Sequence, residues 1–357
     1  MPGRVLDWLP WRRKPPSRAL VLAGGGVVGG MYEVGALAAC DQLLPGFRCN
    51  AFDLYIGSSA GSVVASLIAQ GIQPVDLYQI LDEQRDDPLD FNRGSVYHKG
   101  SFGIAARNLA HFLWAVGKRA VGGFTLDWPD ILARSGRDMP AGFFTLSPLE
   151  DFMRRAFAAK GLSNSFHDLV RPLLIPAIDL DWAQRVVFGQ GVFRDVPISH
   201  AIAASSAIPG FFEPYRIAGR DYVDGDVGHT GHADLAVEHG ADLIVVVNPA
   251  VPLKVGSPEE GAVRERGLYA IMEQAGHITS VNLLELGLRE LKLRHPLVEI
   301  HMIQPEPQPS PLIGPSMGFE ASRAALRFGY MSVRDWLSEP GNAFAARFQR
   351  GSTSSTV

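Results

Sequence analysis

The sequence has 357 residues, of which 46% are hydrophobic and 20% are charged, so the chain can bury a large core and is not mainly disordered. Its formal net charge of −4 lacks the basic field that drives non-specific binding to nucleic acids, and we expect no nucleic-acid partner. Cys40 and Cys49 are too few for a disulfide framework and fit the reduced thiols of an intracellular protein.

The chain opens with a polar, proline-containing lead over residues 1–17. This lead lacks the long apolar run and the cleavage site of a signal peptide, and we therefore expect a cytoplasmic protein. Tryptophans and leucines beside three basic residues within the lead predict either an anchor at a membrane surface or a solvated tail. The first alternative implies a peripheral protein that contacts the membrane surface transiently.

Two strand-and-helix units follow the lead. The apolar run at residues 19–23 predicts a buried strand that enters a glycine-rich loop, and helical spacing predicts a helix over residues 31–44. Residues 52–56 predict a second buried strand, and residues 62–69 predict the helix that packs against it. The chain therefore starts with strand, loop and helix, repeated once.

The remainder of the chain continues the alternation after an interruption. Residues 86–146 contain scattered glycines and few clear strands, as expected of an inserted cap or lid. Strand patterns return from residue 173 and again at residues 243–247 and 298–303, with helices predicted over residues 259–294 and 320–337. This alternation predicts an α/β fold with a mostly parallel central sheet covered by helices on both faces. We assign one domain to residues 18–338 and a C-terminal tail to residues 339–357.

The glycine-rich loop, GGGVVG at residues 24–29, lies directly between a predicted strand and a predicted helix. Such glycines allow bare backbone N–H groups to converge on an anion. The loop also matches G-x-G-x-x-G, but dinucleotide binding needs an acidic residue at the end of the next strand, which instead ends at Gly57 and Ser58. A glycine turn required only for close packing of helix and strand is the third interpretation.

A second motif, GSSAG at residues 57–61, matches the G-x-S-x-G nucleophile elbow. A strand precedes it and a helix follows it, as an elbow requires. Gly57 and Gly61 permit the sharp turn, and the helix N-terminus behind Ser59 favours developing negative charge. The pattern predicts Ser59 as a nucleophile.

A third motif is the carboxylate Asp224 beside Gly225 at the end of a short predicted strand. Alone, an Asp before a Gly is usually a turn residue. Acyl transfer needs a nucleophilic hydroxyl, a base that accepts its proton and hydrogen-bond donors for the oxyanion. The elbow, the Asp-Gly motif and the glycine-rich loop could supply these three in turn. A later histidine could extend the pair to a triad, but none has a supporting motif, and we interpret all three as surface or helix residues: His277, His295 and His301.

These motifs, in this order and with the stretch AASSAIPGFF at residues 203–212, resemble the patatin-like phospholipase family over residues 18–338. The resemblance implies a three-layer α/β/α fold and a lipid acyl hydrolase that needs no cofactor and acts on a lipid or acyl ester. It implies that Ser59 is the nucleophile and Asp224 its partner in a Ser–Asp dyad. The oxyanion hole it implies lies at the amides around Gly24, Gly25, Gly26 and Val27.

Two positions depart from the family pattern. Val28 stands where the family commonly has Arg or Lys, and Asp226 stands where a small residue is usual. The first departure favours an esterase, thioesterase or transacylase that uses a non-phospholipid acyl donor. The second allows a catalytically silent lipid-binding or regulatory module.

A metal site is the remaining alternative at the third motif. Asp224, Asp226, His229 and His232 are ligand types at short spacing. The glycines between them favour a loop that leads into a helix, and no second cluster completes a site. We expect no metal here.

Overall fold

The structure is a computed structural model that describes residues 18–91, 110, 141–255, 262–306 and 321–349. The proposed membrane anchor in the lead, most of the predicted cap or lid and the end of the C-terminal tail lie outside these ranges. None of the helices within them combines the length and the apolar run that crossing a bilayer requires.

Eight strands of the described chain form one mixed sheet. They are β1 (Arg18–Leu22), β2 (Leu54–Gly57), β3 (Leu173–Asp179), β4 (Gln184–Phe188), β5 (Tyr215–Ile217), β6 (Arg220–Val223), β7 (Leu243–Val247) and β8 (Glu299–Ile303). The order is β5-β6-β3-β2-β1-β7-β8, with β4 also paired to β3. Five neighbouring strands pair in parallel, namely β3, β2, β1, β7 and β8. The other three strands, β4, β5 and β6, pair antiparallel.

Helices connect and cover the strands. They are α1 (Gly26–Leu43), α2 (Ala60–Ala69), α3 (Pro74–Glu83), α4 (Ser147–Lys160), α5 (Ile198–Ser205), α6 (Ala233–Glu238), α7 (Leu268–Arg294), α8 (Ser322–Leu337) and α9 (Ala343–Gln349). The larger layer contains α1, α2 and α8, and the opposite layer contains α6 and part of α7. This is the predicted α/β sheet with helices on both faces.

The central strands are apolar throughout because both of their faces are buried. Along β1, Leu20 and Leu22 face the larger helical layer, while Ala19 and Val21 face the opposite layer. The same alternation separates the residues of β7. Continuous runs of Val, Ile and Leu therefore indicated the strands in the sequence. Which face of the sheet each side chain occupies follows from the alternation of side chains along a pleated strand.

The larger layer depends on a close helix crossing. A Cβ on Gly35 of α1 would lie 2.0 Å from the carbonyl oxygen of Leu326 in α8, and a Cβ on Gly329 would lie 2.4 Å from the carbonyl oxygen of Tyr32. Only glycine at both positions lets the two backbones come this close. The crossing holds α1 closely against α8. The glycine-rich loop therefore leads into a firmly packed helix.

The folded chain continues beyond residue 338. Helix α9 packs Phe344 and Phe348 against Phe47, with ring centroids 5.8 and 4.9 Å from that of Phe47. The segment that we assigned to a tail therefore contributes to the core as far as Phe348. The long helix predicted over residues 259–294 begins at Leu268, and the structure adds helices α3 and α4, which the sequence analysis did not predict.

Candidate active site

The GSSAG motif forms a sharp turn between β2 and α2. Ser59 has a φ of 49° and a ψ of −131°, a conformation that residues other than glycine rarely adopt. The turn packs tightly, since a Cβ on Gly61 would lie 2.5 Å from the carbonyl oxygen of Leu22 and one on Gly57 would lie 2.4 Å from that of Gly61. This is the strained strand-to-helix geometry of a nucleophile elbow.

The glycine-rich loop runs beside this elbow and turns into α1. Gly24, Gly25 and Gly26 all have positive φ, between 67° and 116°. A helix leaves the N–H groups of its first turn without intrahelical acceptors, and no described side chain caps the start of α1. The N–H of Gly24 is committed, because it donates to Oε1 of the buried Glu33 at 3.0 Å. The amides of Gly25, Gly26 and Val27 remain for an external acceptor.

Asp224 is buried at the end of β6. Its Oδ1 accepts the N–H of Asp226 at 2.9 Å, while Oδ2 has no hydrogen-bond partner of normal geometry in the described structure. Burial raises the pKa of Asp224 to about 6, and the Asp226 amide and the Ser59 hydroxyl oppose this rise. The Ser59 hydroxyl therefore lies close enough to stabilise the ionised form of the Asp224 carboxyl.

Strand register explains how Asp224 reaches the elbow. In the parallel pair of β2 and β3, Ile56 lies beside Leu174, and continuing this pairing brings the elbow level with Pro176. In the antiparallel pair of β3 and β6, Val223 lies beside Ile178, so Asp224 falls one step back, level with residue 177. Two motifs separated by 165 positions thus meet at the same height on either side of β3.

Asp226 forms a second carboxyl at the site. Its Oδ1 accepts the hydroxyl proton of Ser58 at 2.6 Å. Desolvation and the facing carboxyl of Asp224 hold the pKa of Asp226 well above its usual range. Ionisation of Asp226 is therefore disfavoured while Asp224 is ionised.

An apolar cavity opens beside Ser59, with about 790 Å³ of space including its mouth. Gly26 and Val27 line the cavity together with Ser59, whereas Asp224 is not among the described lining residues. The only polar side chains among the described lining residues are Ser59 and Ser206, and none of those residues is charged. Much of the remaining wall consists of apolar side chains of α2, α3 and α4, including Val63, Leu67, Leu77, Leu81, Leu149 and Met153.

The histidines considered from the sequence do not join Ser59. No described residue lining the cavity is a histidine, and the Nε2 of His301 bonds Glu299 at 2.6 Å instead. His232 is buried, with Nε2 at 3.0 Å from the Gly225 carbonyl oxygen and Nδ1 at 3.4 Å from Arg185. Burial and then Arg185 lower the pKa of His232 to about 3. It is a neutral histidine that supports the loop after Asp224.

The metal interpretation gains no support from the geometry. Both ring nitrogens of His232 face protein groups, and the carboxyl of Asp226 accepts from Ser58. Within the described ranges, no three residues of metal-ligating type converge on a point. Protein hydrogen bonds instead hold Asp224, Asp226 and His232.

The family comparison bears directly on this arrangement. Residues 20–236, which include the glycine-rich loop, the elbow and the Asp-Gly motif, match the family model described as Patatin-like phospholipase. The chain belongs to the patatin-like phospholipase family. The match covers more than half of the chain and ends within α6.

Several solved structures are similar to this chain. VipD from Legionella pneumophila is 16% identical, with a TM-score of 0.40 over 90% of this chain and 66% of that protein. ExoU of Pseudomonas aeruginosa, solved with SpcU, is 18% identical, with a TM-score of 0.36 over 90% of this chain and 52% of ExoU. Human GIVD cytosolic phospholipase A2 is 13% identical, with a TM-score of 0.36 over 95% of this chain and 59% of the human protein. The chain thus spans between half and two thirds of these proteins.

The two departures from the patatin-like pattern have different structural settings. Val28 is buried in the main core and does not line the cavity, so its side chain faces away from Ser59. Asp226 lies at the site, and a Cβ on Gly24 would come within 3.2 Å of its Oδ2. Val28 therefore contributes to the packing of α1. Asp226 instead places a second carboxyl beside Asp224.

Two buried polar residues near the site were missed in the sequence analysis. Glu33 was visible as one of only two charged residues, with Asp41, in a mostly apolar helical segment. Ser205 stands in the quoted stretch at residues 203–212, but nothing in its spacing pointed to Ser59. The hydrogen bonds of both residues depend on chain segments that meet only in the folded protein.

Proposed function

We propose that this protein is a serine acyl hydrolase that cleaves acyl esters of lipids through a Ser59–Asp224 dyad. The observation that carries the proposal is the strained Ser59 elbow, which opens into an apolar cavity while a buried carboxyl lies beside it. A cavity of this kind beside a nucleophile can hold an apolar group of the substrate. An acyl chain has the matching chemistry, because burying its methylenes is favourable by about 0.8 kcal/mol each.

The proposed reaction begins with proton transfer. Ionised Asp224 accepts the Ser59 hydroxyl proton as Oγ bonds to the ester carbonyl carbon, and the carbonyl oxygen becomes an oxyanion. The amides of Gly25, Gly26 and Val27 at the start of α1 stabilise this charge. The carbon–oxygen bond to the alcohol then breaks, and Asp224 returns the proton to the leaving oxygen. A water molecule repeats the sequence on the acyl-enzyme and releases the fatty acid.

The raised pKa of Asp224 helps this chemistry. A carboxyl with an ordinary pKa near 4 is a weak base for a hydroxyl. Burial brings the pKa of Asp224 to about 6, closer to neutral pH, so it is a stronger base and still largely ionised there. No cofactor enters any step.

The cavity sets the class of acyl chain. Leu67 lies eight residues beyond Ser59 along α2, about 12 Å at 1.5 Å per residue. A chain of medium length would fill the space between them. We therefore propose that medium acyl chains are better substrates than very short ones.

A second candidate is an esterase, thioesterase or transacylase that uses a non-phospholipid acyl donor. The described residues lining the cavity provide no cation for a phosphate group. Hydrolysis of neutral acyl esters and acyl thioesters, compared with that of phosphatidylcholine vesicles, separates the candidates. A preference for phospholipid would reject the second one.

The cellular location that fits this activity is the cytoplasm, with transient contact at membrane surfaces where lipid substrates reside. Two free, buried thiols, Cys40 and Cys49, support a reducing compartment. Sedimentation with vesicles tests the contact. Absence of protein from the vesicle pellet under turnover conditions would contradict it.

Labelling with a fluorophosphonate probe and hydrolysis of p-nitrophenyl acyl esters test the dyad. We expect the wild type to be labelled and active, Ser59→Ala to lose both properties, and Asp224→Asn to lose about 10²–10⁴-fold in kcat. Ser66→Ala is the matched control, because Ser66 is a buried serine of the same helix whose hydroxyl donates to the Val63 carbonyl. A folded but inert wild type, or labelling that persists in Ser59→Ala, would reject the proposal.

A further inference from the structure

Ser205, the last residue of α5, is fully buried beside the elbow. Its hydroxyl oxygen accepts the backbone N–H of Ser59 at 3.0 Å. The same hydroxyl donates to the carbonyl oxygen of Pro176 in β3 at 2.6 Å. One side chain therefore ties the strained residue of the elbow to the strand that separates it from Asp224.

The backbone of the same segment holds the other half of the dyad. The carbonyl oxygen of Ser205 accepts the N–H of Gly225 at 3.2 Å, and that of Ala207 accepts the N–H of Asp224 at 3.0 Å. The fit is close, since a Cβ on Gly225 would lie 2.4 Å from the Pro176 carbonyl oxygen and 3.1 Å from Ser205 Oγ. Hydrogen bonds from Ser205 and its neighbour Ala207 thus hold both Ser59 and the segment of Asp224.

The Ser59 N–H needs this partner. It belongs to a residue with positive φ between a strand and a helix, outside both regular hydrogen-bond patterns. A buried N–H left without an acceptor is strongly unfavourable. Without the Ser205 hydroxyl, the elbow would relax towards another acceptor and carry Ser59 Oγ with it.

We propose that Ser205 is a positioning residue that sets the distance and angle between Ser59 Oγ and the Asp224 carboxyl. Ser205 does not line the cavity, so it acts without touching the substrate. This inference rests on the proposed Ser59–Asp224 dyad and adds to it the residue that keeps the two groups in register. A misplacement of about 1 Å at a reacting centre costs roughly 10²-fold in rate.

Ser199 provides a matched control on the same helix. It is also a fully buried serine of α5, and its hydroxyl likewise makes two hydrogen bonds, donating to Glu150 and accepting from Asn164, both at 2.9 Å. Those partners lie away from Ser59 and Asp224. Ser199→Ala and Ser205→Ala therefore each remove two hydrogen bonds of a buried serine on the same helix, and only the second removes one from the elbow.

The experiment first compares wild type with Ser59→Ala, and then Ser205→Ala with Ser199→Ala, for kcat, KM, phosphonylation rate by a fluorophosphonate, and Tm. We expect both alanine variants to lose stability, and Ser205→Ala alone to lose about 10–100-fold in kcat and in phosphonylation rate. KM should change less than about twofold in both variants, since neither residue contacts the acyl chain. Ser205→Cys, which keeps a weak donor and acceptor, should recover part of the rate and replaces Ser205→Ala if that variant does not fold.

The outcomes are distinguishable. Wild-type kcat in a folded Ser205→Ala, or equal kcat losses in Ser205→Ala and Ser199→Ala, would overturn the positioning role and leave the dyad in place. A KM increase with unchanged kcat would also overturn it. An inert wild type, identical to Ser59→Ala in the first comparison, would overturn the dyad and this inference together.

Discussion

Glu33 accepts the backbone N–H of Gly24 from inside the apolar helix α1. Burial, reinforced by the facing Asp226, holds the pKa of Glu33 well above its usual range. The carboxyl is therefore protonated in the folded protein over a range of pH in which it is ionised in the unfolded chain. The glycine-rich loop is thus held in place by a buried carboxyl of the helix that follows it.

This relationship predicts how Glu33→Gln changes stability with pH. Because the folded-state pKa is raised, the favourable contribution of Glu33 is complete below the unfolded pKa of about 4.3 and is lost as pH rises towards the folded value. Glu33→Gln should match wild type near pH 4 and exceed it at pH 8, by about 1.4 kcal/mol for each unit of the shift. Urea unfolding at both pH values measures this difference. A difference that does not vary with pH would contradict the prediction.

The second prediction concerns the acid limb of the pH–rate profile. Asp224 must be ionised to accept a proton, so kcat/KM should fall below an apparent pKa of about 6. Desolvation and the facing Asp224 hold the pKa of Asp226 well above its usual range, and Asp226→Asn should retain the limb that Asp224 sets. The profile measured with a p-nitrophenyl ester tests both statements. A limb near pH 4 would show that Asp224 is not desolvated as described.

The third prediction concerns the close approach of the glycine-rich loop to the elbow. A Cβ on Gly24, which has a φ of 77°, would lie 2.7 Å from the Ser58 carbonyl oxygen and 2.8 Å from Ser59 Cβ. Gly24→Ala should therefore displace the elbow and lower kcat/KM at least about 100-fold. Gly71→Ala is the control, because Gly71 also has positive φ but has open space around it. Equal activities in the two variants would reject this explanation.

The fourth prediction concerns chain length. Leu67→Phe should fill the far end of the cavity and lower the ratio of dodecanoyl to butyryl ester hydrolysis about tenfold, the cost of leaving roughly two methylenes outside. The ratio is measured within each variant, so a change in overall stability cancels. Leu67→Met, similar in volume, should keep the wild-type ratio. An unchanged ratio in Leu67→Phe would mean that the acyl chain leaves Ser59 in another direction.

The fold and the candidate nucleophile were accessible from sequence because their signals are local. The apolar run of β7 was predicted at its observed bounds, and those of β1 and β2 within one or two residues. The elbow around Ser59 was recognisable because its small residues and its strand-helix context are contiguous. In contrast, β5 has three half-buried or exposed residues and carries no strand pattern of its own.

The sequence by itself determined the alternation of strands and helices, the elbow, the glycine-rich loop and the presence of an acid motif, since each depends on neighbours in the chain. Tertiary structure alone decided which acid faces Ser59, because that follows from the registers of β2 and β6 against β3. It also decided that Val28 turns into the core and that Ser205 bonds the elbow across 146 positions. Burial, pKa and hydrogen bonds between distant segments arise only when the chain is packed, and these properties define the site.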